Sequence, residues 1–259
     1  MHADANRPTR KSRWKKVLLW GGAIVLIIVI AGFVYLNSIT YQPSATAEAA
    51  FQTDGQVKVT NITDGYQFEP ADGQKIKQPN IIFYPGGLVE PESYSPLARE
   101  LAEAGHRVFV ADMPLNLAMF GQNKAGSFIS DHSDESFVIG GHSLGGVFAA
   151  RYAAAHTDQI QGVFFLASYA DDGGAIRDTD LSALQITGTN DAVLNTEAWE
   201  SSKTNLPEDT VYVQIDGGNH GQFGSYGMQK GDQEPTVSEQ EQTETTAAAI
   251  EDWVAKLIP

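Results

Sequence analysis

Residues 137–155 read FVIGGHSLGGVFAARYAAA, and this stretch decides the fold. A short apolar run typical of a buried strand leads into a Gly-His-Ser-Leu-Gly-Gly turn, and a series of small, helix-favouring residues follows. A serine at such a strand-to-helix turn stands at the tip of a sharp bend, where side chains at positions 141 and 145 would collide. The pattern predicts that Ser143 is a nucleophile. The alternative is a glycine-rich turn with an incidental serine, because G-x-S-x-G alone arises often by chance.

A serine nucleophile needs a base within hydrogen-bond reach and a carboxylate that orients the base. Where such a turn is catalytic, the chain order is serine, acid, histidine. Only His156 and His220 follow Ser143. His156 ends the helix that Ser143 begins, about 20 Å away at the helical rise per residue. We therefore expect His220, in a glycine-rich loop after a strand, to be the base; the alternative is a surface loop histidine.

The acid is expected at Asp191, which closes the strand-like run LQITGTND between the serine and the histidine. Solvated loop carboxylates are common, so other aspartates in the preceding loop are rivals: Asp171, Asp172, Asp178 and Asp180.

An acyl-transfer site also needs preplaced N–H donors for a developing oxyanion. One is expected from Leu144, which follows the nucleophile. The other should come from the turn Pro85-Gly86-Gly87-Leu88 after the strand Ile81–Tyr84. The sequence does not decide between Gly87 and Leu88, and a plain turn after a strand is the alternative.

Strand-like runs and helical stretches alternate through the body of the chain. This alternation predicts an α/β fold with a mostly parallel, doubly wound sheet, and residues 56–69 predict an antiparallel hairpin before it. The expected strands are Ile81–Tyr84, Arg107–Ala111, Phe137–Gly140, Gly162–Leu166, Leu184–Thr187 and Val211–Ile215. The expected helices are Tyr94–Ala104, 123–131, Leu144–Ala155, Thr196–Lys203 and Ser238–Leu257.

Val17–Leu36 is an uncharged run of 20 residues, long enough to cross a bilayer as a helix. Basic residues precede it and none follows until Lys58, which predicts a cytoplasmic N-terminus and an extracellular body at the plasma membrane. The expected domains are a basic cytoplasmic segment 1–16, a transmembrane anchor 17–36, a polar, Ala-rich linker 37–52 and a globular domain 53–259. A cleaved signal peptide, with the small-residue site Ala45-Thr46-Ala47, and a buried core helix are the alternatives.

Beyond residue 16 the chain carries 11 Lys and Arg against 31 Asp and Glu, a formal charge of −20. Such an acidic body repels nucleic acid and anionic lipid headgroups, so neither is an expected partner. The absence of cysteine excludes disulfides, a thiol nucleophile and thiolate metal sites. No pair of histidines has metal-ligand spacing, and no metal is expected.

Ser168–Ser182 lacks the apolar periodicity of a lid helix, so no cap domain is expected between its flanking strands. The stretch Met113–Gly126 contains several apolar residues. We expect Met113 and Phe120 to line one wall of a shallow substrate pocket, with Tyr94 and Phe223 as further walls. The alternative is that these side chains pack on the core.

Four stretches, taken in order, resemble the bacterial α/β-hydrolase fold-5 family, relatives of the dienelactone hydrolases. They are IIFYPGGLVEPESYSPLARELAEAGHRVFVADMPLNLA, VIGGHSLGG, GTNDAV and GGNHGQFGSYGMQKGD, and the resemblance covers residues 78–257. It implies the α/β-hydrolase fold, a Ser143/Asp191/His220 triad and no cofactor. Dienelactone hydrolase itself uses cysteine where this chain has Ser143, which argues against that substrate.

The resulting expectation is a cell-surface serine hydrolase of short-chain or small carboxylic esters, thioesters or lactones. Two alternatives remain open. An acyltransferase would use the same residues with an alcohol or amine in place of water, and a silent binding module would keep the fold without the activity.

Overall fold

The computed structural model describes residues 10–71 and 73–257. The chain separates into two compact units, one ending at Thr40 and the other beginning at Tyr41. We describe each by itself.

The first unit is one long helix, α1, Arg10–Ile39. Within it, Val17–Ile39 has a mean hydropathy of 2.8, and none of these residues is buried. The helix is therefore a candidate membrane span by length and composition, and a signal sequence near an N-terminus has the same properties. The expected basic segment 1–16 lies largely outside the described residues.

The second unit is built on one sheet of eight strands, in the order β1-β2-β4-β3-β5-β6-β7-β8. The hairpin β1–β2 and the β2–β4 pair are antiparallel, and all other neighbours are parallel. The strands are β1 Val57–Ile62, β2 Gly65–Pro70, β3 Lys77–Tyr84, β4 His106–Ala111, β5 Phe137–His142, β6 Gly162–Leu166, β7 Ser182–Gly188 and β8 Val211–Ile215. The predicted parallel sheet and N-terminal hairpin are confirmed.

Helices cover both faces of the sheet, and an apolar core lies under each. The helices of this unit are α2 Ala45–Ala50, α3 Ser95–Glu103, α4 Ala125–Asp131, α5 Leu144–Ala155, α6 Thr196–Ser202 and α7 Glu239–Val254. Helices α3 and α7 pack on one face, and α4 and α5 pack on the other. The β6–β7 connection, where a cap is often inserted, contains one short 3-10 turn, Asp172–Gly174.

Residues 37–52, expected as a polar linker, do not form one, and this part of the domain assignment is corrected. Residues 37–39 continue α1, and the chain from Tyr41 belongs to the second unit. In α2, Ala47 is fully buried, and the Ser44 side chain caps the helix by accepting the Ala47 N–H. One of the alanines that suggested a linker, Ala47, is the small residue with which α2 packs on its neighbours.

The end of this segment is fixed by Arg99 on α3. Its guanidinium donates to the carbonyl oxygens of Ala50 and Gln52 and pairs with Asp54 at 2.9 Å. The charged side chain therefore binds the end of the segment at two carbonyl groups and also binds Asp54, just after it.

Ala47→Asp should destabilise the second unit, because it places a carboxylate in a fully buried position without a partner. We expect the free energy of unfolding to fall by about 2 kcal/mol or more, measured as a lower midpoint of thermal unfolding of the full chain in detergent. Ala45→Asp, at an exposed position of the same helix, is the control and should leave the midpoint unchanged. Equal midpoints for the two variants would show that the segment is not part of the folded unit.

Candidate active site

Ser143 lies between β5 and α5 with φ 50° and ψ −123°, a backbone conformation that L-residues rarely adopt. Its N–H donates to Leu166 at 2.9 Å, and its carbonyl oxygen accepts the Ser168 hydroxyl at 2.6 Å. A Cβ at Gly141 or Gly145 would collide with the backbone at the end of β3. The sharp turn that the glycine spacing predicted is thus held between three strands.

Asp191 and His220 meet at the carboxyl end of the sheet. His220 Nδ1 lies 2.9 Å from Asp191 Oδ2, and the two side chains are 1% and 2% exposed. The other carboxylate oxygen of Asp191 accepts the N–H groups of Val193 and Leu194 at 2.9 and 2.8 Å. These bonds fix the carboxylate so that it faces the imidazole.

The contact with Asp191 determines how His220 can act. When Nδ1 carries the proton and donates to the carboxylate, Nε2 is left with a free lone pair. Nε2 is buried and forms no hydrogen bond within the described part of the chain, Ser143 included. A buried imidazole nitrogen that has a free lone pair and no hydrogen-bond partner can accept a proton from a nucleophile that comes within reach.

The loop that carries His220 is held by residues that no pattern in the sequence singles out. On α7, Gln242 accepts the Asn219 N–H at 3.0 Å and donates to the Asn219 carbonyl at 2.8 Å. Asp232 accepts the Gly221 N–H at 2.9 Å. These contacts join positions 11 to 23 residues apart, and nothing in the local sequence indicates them.

The structure distinguishes the two candidate oxyanion donors after β3. The Leu88 N–H already donates to the Asn116 carbonyl at 2.7 Å. Among the described residues, neither Gly87 nor Leu144 has an acceptor for its N–H. A Cβ at Gly87 would lie 3.2 Å from Cδ2 of Leu144, so the two stretches of backbone are adjacent. The free amides are therefore those of Gly87 and Leu144.

A buried tyrosine links this loop to the serine turn. Gly86 donates its N–H to the Tyr94 hydroxyl at 2.9 Å, and the hydroxyl lies 2.8 Å from Nδ1 of His142. Burial raises the pKa of Tyr94, so the hydroxyl keeps its proton. Because the oxygen already accepts from Gly86, its proton points to His142.

His142 lies against the candidate base. Its ring centroid is 4.6 Å from that of His220. Burial first, and the charge of His220 second, hold the pKa of His142 well below its ordinary value, so His142 is neutral. Sequence reasoning gave this residue no role; its position next to Ser143 was the only available signal.

The expected pocket residues do not form a pocket together. Tyr94, Met113 and Phe223 are each at most 3% exposed and belong to the two apolar cores. Phe120 is 58% exposed, on the loop after β4. The apolar composition that suggested a pocket wall marked core positions in three cases out of four. Within residues 10–71 and 73–257, no group of three His, Asp or Glu side chains is arranged to hold a metal ion.

Solved structures with low sequence identity share this fold. A soluble variant of monoglyceride lipase from Saccharomyces cerevisiae has a TM-score of 0.58 at 11% identity, over 80% of this chain and 97% of its own. An alpha/beta hydrolase enzyme from a sediment metagenome of the lagoon of Mar Chica, Morocco, has a TM-score of 0.56 at 16% identity, over 77% and 98%. A thermostable esterase from Pseudomonas putida ECU1011 has a TM-score of 0.54 at 16% identity, over 82% and 86%.

No protein of curated function matches the chain significantly in sequence. The model of the alpha/beta hydrolase family, in its fold-5 group, matches residues 80–244. Because this match extends over more than half of the sequence, the chain belongs to the alpha/beta hydrolase family.

Proposed function

We propose that the protein is a serine hydrolase that cleaves small carboxylic esters, thioesters or lactones through an acyl-enzyme on Ser143. The observation that carries this proposal is the buried Asp191–His220 pair, whose imidazole has an unpartnered Nε2 and lies 4.6 Å, between ring centroids, from His142, the neighbour of the strained Ser143. Family membership supports a hydrolase. The structural neighbours above, which include a monoglyceride lipase and an esterase, favour an ester as substrate.

In the first half of the reaction, His220 Nε2 takes the Ser143 proton while Oγ attacks the ester carbonyl carbon. The C=O π electrons move to oxygen, and the negative charge is stabilised by the N–H groups of Leu144 and Gly87. The imidazolium then protonates the leaving alcohol as the C–O bond breaks. Water repeats the sequence on the acyl-enzyme, which releases the acid and restores Ser143.

Asp191 stabilises the imidazolium and keeps the Nδ1 proton in place, so that Nε2 is always the atom that exchanges protons. His142 cannot replace His220 in this role, because its Nδ1 already accepts the Tyr94 hydroxyl and burial keeps it neutral. Tyr94 acts as a positioning residue: through Gly86 it fixes the backbone beside the Gly87 donor.

We also propose that α1 anchors the protein in the plasma membrane with the domain outside, as the flanking charges favour. The alternative cleavage site, Ala45-Thr46-Ala47, lies in α2, and Ala47 is fully buried. Cleavage there would remove Tyr41 and Ser44, which hydrogen-bond to Leu88 and Ser225 of the domain. These contacts favour an uncleaved anchor.

Ser143→Ala should reduce hydrolysis of p-nitrophenyl acetate to near background, since a triad-less site retains only roughly 10³–10⁴-fold over water. A fluorophosphonate probe should label the wild-type chain at Ser143 and leave the variant unlabelled, as read by peptide mapping. Ser130→Ala, an exposed serine on α4, is the control. Labelling of another serine, or an alanine variant with a tenth of wild-type turnover, would exclude this mechanism.

Tyr94→Phe should lower kcat by about tenfold or more while KM stays nearly constant, because the oxyanion is bound tightly only in the transition state. Affinity for a boronic acid analogue should fall by the same factor. Tyr84→Phe is a matched control, since its buried hydroxyl also accepts a backbone N–H, that of Ala125, but on the other face of the sheet. A loss of melting temperature in both variants with kcat unchanged in both would make Tyr94 purely structural.

Activity on soluble p-nitrophenyl esters should peak at acyl chains of about two to six carbons. The β6–β7 connection offers no lid to enclose a longer chain, whose transfer free energy of about 0.8 kcal/mol per CH₂ would go unused. The measurement is kcat/KM against acyl length below the critical micelle concentration. A preference for acyl chains of about twelve carbons or more, with a jump in rate at that concentration, would contradict the short-chain assignment.

A further inference from the structure

The exposed apolar side chains of the domain are concentrated near the candidate site. From Tyr41 onwards, the large apolar side chains that the structure describes as exposed are Leu115, Met119, Phe120, Tyr212 and Met228. All but Tyr212 lie on two loops, 113–121 and 227–230. We call Leu115, Met119, Phe120 and Met228 the apolar rim. Isolated exposed apolar residues need no explanation, but a cluster on neighbouring loops indicates an interaction surface.

The loop of Leu115 lies against residues 85–88, the turn after β3 that we call the oxyanion loop. Asn116 accepts the Leu88 N–H at 2.7 Å, and a Cβ at Gly87 would lie 3.7 Å from Cδ2 of Leu117. One side of the apolar rim is therefore at the mouth of the site.

Tyr41 binds one loop of the rim directly, at Lys230, and the other through Leu88, whose N–H donates to Asn116. The Tyr41 N–H donates to the Leu88 carbonyl at 2.8 Å, and Glu90 donates its N–H to the Tyr41 carbonyl at 3.0 Å. The Tyr41 hydroxyl accepts the Lys230 N–H at 3.0 Å, two residues after Met228. Both loops are thus fixed around the first residue of the domain.

Only one residue separates Tyr41 from the end of the apolar helix, so the two must lie close together. The candidate span ends at Ile39, and Tyr41 is the second residue after it. An extended chain covers at most about 3.6 Å per residue. If α1 crosses a bilayer, Tyr41 is therefore held at the bilayer surface, and the two loops around it are held there too.

We propose that the apolar rim docks into the outer surface of the bilayer in which α1 is anchored, and that the substrate is an ester on an amphiphile in that leaflet. The substrate part rests on the proposed serine hydrolase. The short acyl group enters the site, while the apolar remainder of the amphiphile stays in the bilayer beside the rim. The domain's charge of −20 disfavours an anionic surface, so the partner is a neutral or zwitterionic leaflet held by apolar contact.

The absence of cysteine permits a direct test in the full chain. The single-cysteine variants L115C, F120C and M228C are each labelled with an environment-sensitive fluorophore and reconstituted into phosphatidylcholine vesicles. The vesicles contain a lipid-borne quencher, and the quenching of the fluorophore is measured. Y212C is the matched control, exposed to a similar extent but outside the rim, and V25C reports insertion of α1. We expect quenching several-fold stronger at the three rim positions than at Tyr212→Cys, and no increase when anionic lipid is added.

The labelling outcomes are independent of activity. Quenching at Val25→Cys without quenching at the rim overturns the docking surface and leaves the anchor intact. No quenching at Val25→Cys overturns the anchor and the docking surface together. Quenching at the rim that appears only with anionic lipid overturns the apolar mode of contact.

A kinetic measurement tests the substrate class. The full chain in phosphatidylcholine vesicles is assayed with hexadecyl acetate in the bilayer and with p-nitrophenyl acetate in water. In the Leu115→Ser/Met119→Ser double variant, the ratio of the two rates should fall several-fold, whereas Tyr212→Ser should leave it unchanged. An unchanged ratio in the double variant overturns the substrate assignment. Loss of the serine mechanism is detected separately, because Ser143→Ala would then keep its activity on p-nitrophenyl acetate.

Discussion

The left-handed backbone of Ser143 is maintained by contacts from the ends of two strands, β6 and β3, and from the loop that follows β6. The Leu166 carbonyl at the end of β6 accepts its N–H, the Ser168 hydroxyl binds its carbonyl, and the end of β3 packs against Gly145. A conformation of this kind costs of order 1–3 kcal/mol and persists only where its surroundings impose it. The parallel sheet must therefore be assembled before the serine is exposed at its edge, and the amides of Gly87 and Leu144 are brought together by the same packing.

Two adjacent imidazoles near this turn, those of His142 and His220, have different hydrogen-bond partners. His220 faces a carboxylate through Nδ1 and keeps Nε2 free. His142 is neutral, and its Nδ1 forms a hydrogen bond with the Tyr94 hydroxyl. The neighbouring hydrogen bonds, rather than ring type or burial, make the two histidines different. The Tyr94 hydroxyl contacts both His142 and the turn after β3, since it also accepts the N–H of Gly86.

Much of this arrangement could be predicted from the sequence, because it depends on local patterns. Apolar runs of limited length predicted the strands, and the glycine spacing around Ser143 predicted the turn. Chain order pointed to Asp191 and His220, which the structure brings to 2.9 Å. The choice between Gly87 and Leu88 depends on a carbonyl at Asn116, nearly thirty residues away, and no local pattern carries it. The pocket assignment could not be decided from the sequence, because apolar side chains have the same character whether they line a cavity or fill a core. The alanines of α2 suggested a linker because small residues serve equally in flexible segments and in closely packed helices.

The reciprocal hydrogen bonds between Gln242 and Asn219 have a consequence for the order in which the protein matures. A chain folds as it is synthesised, beginning with its N-terminal part. The strands that hold Ser143 precede α7 in the chain, but the loop of His220 acquires its contacts with Gln242 only when α7 has left the ribosome and packed. A nascent chain that still lacks α7 would carry the serine turn while the loop of His220 is without these two hydrogen bonds. The packing of α7 thus determines when, during biosynthesis, the loop beside Asp191 is completed.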